Sequence, residues 1–211
     1  MTGIQSPQKP QHLFPFEVAL VITLVMGMVI TAIDVLQPAE PFLSILAFLP
    51  GVISITALLA SGSSLADLNI RFRRISLPGL LALAATTILL LPILGSSIGW
   101  AGWNWLSGLV FAPASGIAQE LYFRGSLLPA LERVLHGKKI AALLLHALIF
   151  VGYHFRTFRA ASSSPIVILI AVVLFAAGCG WGWQVQKDRT VVWAMGQHSL
   201  FLILMSMFEW S

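Results

Sequence analysis

Four residues in this chain are of types that do chemistry and stand where such side chains are costly: Glu120, Arg124, His154 and His198. Each lies in or beside a long apolar run, and an ionisable group at membrane depth is expensive enough to be read first as functional. Glu120 and Arg124 are spaced i, i+4, so on a helix they share a face and can pair, which lowers the cost of immersing either. Taken alone, a purely structural ion pair accounts for them equally well. His154 ends the segment Phe150-Val-Gly-Tyr-His154, and His198 follows Gly196-Gln197 inside another apolar run. Neutral imidazole takes or gives a proton near pH 7, which suits general acid–base work or donation to an oxyanion. One membrane histidine is more often a packed, hydrogen-bonded residue; two, with a Glu–Arg pair on a third run, point to a site. His146 competes with His154, but at about 1.5 Å rise per residue it lies about 12 Å away along a helix axis, too far for one compact site. His12 and His136 fall in a tail and a loop, where solvated roles fit.

Helices in lipid must position these groups. The chain has 211 residues, 58% hydrophobic and 9% charged, where soluble domains average about 25% charged. A soluble fold of this length cannot hide so much apolar surface. Apolar stretches recur at Val18–Ile33, Phe42–Ala60, Leu77–Leu94, Ile98–Ala118, Ile140–Phe155, Pro165–Val185 and Val191–Phe208. Most approach the ~20 residues needed to cross hydrocarbon, so the fold class is an all-α, polytopic transmembrane helix bundle of about seven spans. Residues 1–12 read as a polar, Gln/Pro-rich cytoplasmic tail rather than a signal peptide, because no small-residue cleavage site follows the first apolar run. Residues 13–211 form a single integral membrane domain with its site region at 115–205. The segment Gln119–Leu135, where Glu120, Arg124, Glu132 and Arg133 interrupt the apolar pattern, either continues span four or returns as an amphipathic helix towards the interface.

Charge sets the expected orientation. Arg71, Arg73 and Arg74 lie in one loop, Arg133, Lys138 and Lys139 in a second, and Lys187 and Arg189 in a third. If seven spans alternate, these loops and Lys9 share one side and only Arg156 and Arg159 fall on the other. The positive-inside rule then puts the N-terminus in the cytoplasm, in a cytoplasmic (inner) membrane, and the C-terminus outside. Trp100, Trp103 and Trp105, and Trp181 and Trp183 near the end of span six, fit interfacial belts. The single cysteine, Cys179, excludes an intrachain disulfide and a thiolate cluster, and its apolar surroundings give it a packing role. The net charge of +4 resides in the short loops, so no nucleic-acid partner is expected.

The pattern of polar residues resembles a known family, the CAAX-protease and bacteriocin-processing (CPBP, Abi-like) membrane proteins, which include the type II CAAX prenyl endopeptidases. The family's Glu-Glu-x-x-x-Arg motif is resembled by Gln119-Glu120-Leu121-Tyr122-Phe123-Arg124-Gly125; its Phe-x-x-x-His matches Phe150 to His154; its His-x-x-x-Asn is matched at His198, with Leu202 where the amide stands. The resemblance implies a glutamic-type intramembrane endopeptidase without a cofactor. In it His154 would be the partner that activates water, His198 an oxyanion donor, and Glu120 with Arg124 a supporting pair. The substrate would be a membrane-associated peptide or protein, cleaved near the cytoplasmic face within the lipid bilayer. Two departures fall on the chemistry. Gln119 cannot accept a proton as a carboxylate does, and Leu202 offers no hydrogen bond, where losing one oxyanion donor costs roughly 2.7–4 kcal/mol.

Two rescues keep a peptidase. Glu120 could serve as base, although adjacent helical residues point about 100° apart, or His154 could activate water held by the Gln119 amide at reduced rate. The competing function is a non-catalytic scaffold or immunity protein that keeps the family bundle. A metallopeptidase using His154, His198 and Glu120 as ligands ranks last, since Arg124 beside Glu120 would repel a cation. The costly groups on separate spans are expected to converge in one cavity open towards the cytoplasmic half of the bundle.

Overall fold

In lipid a helix turns its greasy side chains outwards and packs its neighbours through small ones, and the first two helices follow that rule. In the computed structural model, which describes residues 13–36, 42–96, 99–100, 105–160, 164–206 and 208–209, α1 runs Phe16–Leu36 and α2 Phe42–Ala60. Val18, Val21 and Met28 of α1 are exposed, whereas Ala19 and Thr23 are buried. Thr23 hides its hydroxyl by donating to the Ala19 carbonyl at 2.8 Å, which removes the cost of a bare polar group in lipid. The tail with Lys9 and His12, and Trp103, lie outside the described residues.

α3 spans Leu77–Ser96. A long helical rod follows, in which α4 (Ala112–Tyr122) is flanked by π-helical turns at Ser107–Phe111 and Phe123–Leu127 and runs on into α5 (Leu128–Val134). Gln119–Val134 therefore continues span four, which settles the first of the two alternatives for that segment. α6 (Lys139–Tyr153) and the short α7 (Phe155–Ala160) precede α8 (Ser164–Asp188) and α9 (Val192–Met205). A two-residue antiparallel pairing of Gly99–Trp100 with Phe208–Glu209 is the strand structure among the described residues. Helices Phe16–Leu36, Phe42–Ala60 and Pro165–Asp188 are long and apolar enough to cross a membrane, and Leu77–Leu91, Lys139–Tyr153 and Val192–Met205 are shorter apolar helices. The all-α membrane bundle is as expected.

α4 is central, packed between α2 and α9, while α8 packs against α3 and α6. Two close approaches depend on glycine. A Cβ on Gly51 of α2 would lie 3.1 Å from Leu121 Cβ, and one on Gly116 of α4 would lie 2.9 Å from both Cα and N of Ser199 in α9. At Gly116 the obstacle is backbone, so only the absent side chain lets α4 and α9 touch.

The basic loops are tied into one end of the bundle. Val191 N–H donates to Asn69 O at 3.0 Å, Thr190 Oγ1 to Arg71 O at 2.5 Å and Trp193 Nε1 to Arg73 O at 2.8 Å. Arg189 Nη1 meets Glu132 Oε2 at 3.4 Å, and Gln186 Nε2 donates to Lys139 O at 3.0 Å. Leu13 N–H donates to Ala60 O at 3.0 Å, so the start of α1 is at this end too. In the same loop Asp67 is held below the usual carboxylate range by hydrogen bonds from the Ser64 hydroxyl and amide. The arrangement agrees with the alternation that the loop charges imply.

Candidate active site

Glu120 projects from α4 into the bundle core, where burial of a lone carboxylate would be prohibitive. Its Oε1 accepts from Arg124 Nη1 and from His198 Nδ1, each at 2.8 Å, with Glu120 and Arg124 wholly buried. Arg124 comes from the next turn of the same rod and His198 from α9, which Gly116 lets close in. The remaining guanidinium surface meets aromatic faces: its Cζ is 4.4 Å from the Phe150 ring centroid and 5.2 Å from that of Trp181, a substitute for hydration worth ~2 kcal/mol or more when desolvated. Trp181 also stacks on His198. Its indole is only 2% exposed, so the interfacial-belt reading of Trp181 is corrected. The buried cation and imidazole draw it inwards, and its N–H is satisfied by Gln197 at 2.6 Å.

Gln119 is one residue earlier and about 100° around the helix, and it faces a different space. A cavity of about 440 Å³ is lined by Gln119, Ser115, His154 and Leu202, with residues of α1 and α2 on its far wall. His154 ends α6 there. Its Nδ1 lies 2.8 Å from the Phe150 carbonyl, and a carbonyl only accepts, so the proton is on Nδ1 and Nε2 keeps a lone pair. The Phe150 ring lies 4.6 Å from the His154 ring and 4.4 Å from Arg124 Cζ, centroid to atom in the second case. It separates the ionic cluster from the cavity while touching both. Gln119 Nε2 donates to Ser115 Oγ at 3.2 Å, and its buried Oε1 has no donor among the described residues.

The five sequence candidates thus divide into two adjoining groups. Glu120, Arg124 and His198 form a hydrogen-bonded cluster, and Gln119 and His154 line the cavity beside it. Leu202, at the position where the resemblance puts an amide, is on the cavity wall. Gln197 does not replace that amide, because its Nε2 is taken by Leu83 O and Thr87 Oγ1 at 2.7 and 2.6 Å. Glu120 is turned away from the cavity, so the rescue in which it serves as base lacks the geometry. His146 is fully buried against Phe123 and belongs to neither group. Among the described residues, no three His, Cys, Asp or Glu side chains are placed to hold a metal ion.

The cavity's direction differs from expectation. Its walls come from Ile33 and Asp34 at the end of α1, Leu43 and Ser44 at the start of α2, Ser107 and Phe111 before α4, and Met205 and Ser206 at the end of α9. These all lie at the end of the bundle away from the basic loops. The loop charges were read correctly as one group; what periodicity cannot convey is at which end the helices splay. Sequence reasoning also passed over three residues that the site uses or contains. Trp181 stood close enough to a span end to look interfacial, Gly116 looked like any small residue in lipid, and Asp34 fell just beyond the boundary drawn for the first apolar run.

The family model for type II CAAX prenyl endopeptidases, Rce1-like, matches residues 100–204. The chain belongs to this family. The match spans α4 to α9 and contains every member of both groups above, so the matched part coincides with the part of the bundle that holds the ionic cluster and half of the cavity wall. No curated protein and no solved structure matches the chain. The family is one of intramembrane proteases.

Proposed function

We propose that this chain is an intramembrane endopeptidase that hydrolyses a membrane-associated peptide or protein in the cavity beside His154. The observation that carries the reading is the hydrogen bond from His154 Nδ1 to the Phe150 carbonyl at 2.8 Å. It leaves an imidazole whose Nε2 lone pair is on the cavity wall and can accept a hydrogen bond from a water there. The Glu120 carboxylate fixes the ring and tautomer of His198 as a carboxylate partner commonly does for histidine. Donation from His198 Nε2 to a developing oxyanion would need the doubly protonated ring and a displacement of Phe150, behind which His198 stands outside the cavity lining. Gln119 supports the water through its amide instead of taking a proton. If the basic loops face the cytoplasm, the cavity faces the other side, and the substrate segment is one exposed at the non-cytoplasmic surface.

A second reading, a scaffold or immunity protein, is favoured by one observation: both departures, Gln119 and Leu202, sit on the cavity wall itself. The deciding experiment is proteolysis of a membrane-anchored candidate peptide in liposomes, by the parent and by His154→Ala, with and without chelator. Cleavage by the parent alone, indifferent to chelator, supports the peptidase. Absence of cleavage with undiminished partner binding by His154→Ala supports the scaffold. Cleavage lost to chelator and restored by zinc would sink both in favour of a metallopeptidase.

A further inference from the structure

The motif position that should carry a carboxylate holds Gln119, yet the cavity is not without one. Asp34, in the last turn of α1, lines the same cavity as Gln119 and His154. It is half-buried, and it is the acidic side chain on that wall among the described residues. The groups around it are consistent with a place beside His154. α1 packs against α6 and α7, the two helices that meet at His154. Tyr153, the neighbour of His154, lines the same cavity as Asp34, and α7 with Arg156 follows directly. A carboxylate near the hydrocarbon boundary of a first helix has no role in a purely apolar anchor, and such groups mark sites by default. A water takes up about 30 Å³, so a cavity of about 440 Å³ holds a peptide segment with a water beside it.

We propose that Asp34 is the general base of the hydrolysis, supplying from α1 the carboxylate that α4 lacks at Gln119. The proposal rests on the peptidase reading. In the step, His154 Nε2 accepts a hydrogen bond from one O–H of the water, and the Asp34 carboxylate removes the proton of the other. The water oxygen bonds to the scissile carbonyl carbon, and the carbonyl π pair moves onto its oxygen. When the C=O re-forms, the C–N bond breaks, and the proton held by Asp34 passes to the leaving nitrogen. One water is consumed, a carboxylic acid and an amine are left, and Asp34 is again ionised. Because this base is on a different helix from the motif, an isolated piece lacking α1 would keep every motif residue and lose the reaction.

The test uses the full chain in liposomes and, as probe, a fixed set of synthetic quenched peptides carrying a membrane-spanning anchor. Asp34→Asn is expected to lower kcat by about 100-fold or more, the usual range for losing a general base, with KM little changed. Asp34→Glu should keep part of the rate and move the acid limb of the pH profile of kcat/KM, and Asp34→Asn with Gln119→Glu should recover rate by about tenfold because a carboxylate returns to the cavity. If Asp34→Asn does not fold, Asp34→Glu decides: a displaced acid limb sustains the role and an undisplaced one overturns it. Cleavage by Asp34→Asn at the parent's rate, while His154→Ala is inactive, overturns the role of Asp34 and leaves the peptidase standing. No cleavage of any peptide by the parent overturns the peptidase and the Asp34 base together.

Discussion

The imidazole of His198 is stacked on the indole of Trp181, with ring centroids 4.6 Å apart and planes inclined by 20°. α8 therefore fixes the plane of a ring that α4 fixes by hydrogen bond. The same indole donates to Gln197, so Trp181→Phe loses one hydrogen bond and little packing. Such bonds in a bilayer average about 0.6 kcal/mol, whereas Trp181→Ala removes the stack and leaves a void worth about 3–5 kcal/mol. Thermal unfolding in detergent should rank the two variants in that order, with cleavage surviving in Trp181→Phe and falling sharply in Trp181→Ala. Equal losses would show that the hydrogen bond, not the stack, holds the ring.

Arg124→Leu leaves Glu120 as a buried charge whose remaining partner is His198. The expected cost is about 3–5 kcal/mol. Replacing both Glu120 and Arg124 by leucine should cost less than either single change, a coupling that a double-mutant cycle by thermal unfolding measures directly. Additive losses would mean that the two side chains do not depend on one another.

Gly116 sits one helical turn before Glu120, opposite Ser199, the neighbour of His198. Gly116→Val drives a side chain into the Ser199 backbone and should pry α4 from α9, breaking the bond between Glu120 and His198. We expect loss of cleavage together with a lowered thermal midpoint. A variant as stable and active as the parent would show that the two helices have slack.

The two departures predict gains. Leu202→Asn puts an amide on the cavity wall, where one oxyanion donor is worth about 10²–10³ in kcat at a well-aligned position, and Gln119→Glu supplies a second carboxylate. Each should raise turnover, while His154→Ala should lower it by at least about 100-fold. Brisk cleavage by the parent with no gain from either substitution would show that neither departure limits turnover.

Orientation is testable with single cysteines in a Cys179→Ser background. Ser64→Cys lies in the basic loop and Thr157→Cys at the cavity end, both exposed. A membrane-impermeant thiol reagent applied to intact cells should label Thr157→Cys and spare Ser64→Cys. Labelling of the reverse set would turn the cavity to the cytoplasm.

How far the sequence carried depends on the range of each interaction. Glu120 and Arg124 are four residues apart on one helix, so their pairing follows from helical geometry alone. His198 joins them across 78 residues, and it was grouped with them by the cost of polar groups at membrane depth and by the resemblance, not by any local spacing. The bundle class followed from composition, since lipid admits few alternatives to helices. The end at which the cavity opens did not follow, because it depends on how Gly51, Gly116 and the bulky residues around them draw some helix ends together and let others part. Trp181 was misjudged because it lies near a span end, where an aromatic residue has an ordinary explanation in the membrane interface, and Asp34 was passed over because it falls one residue beyond the first apolar run.

The π-helical turn at Phe123–Leu127 has a consequence for chain length. A π turn takes in one more residue than an α turn, so the residues after it are out of phase with those before it. The same residues wound as a plain α-helix would swing everything beyond through about 100°. Leu128 and Leu131 would leave the core, and Glu132 would turn from Arg189, although no residue that contacts the cavity had changed. A single-residue insertion or deletion is harmless in most interhelical loops; in this rod the count of residues is itself part of what connects the ionic cluster to the basic end of the bundle.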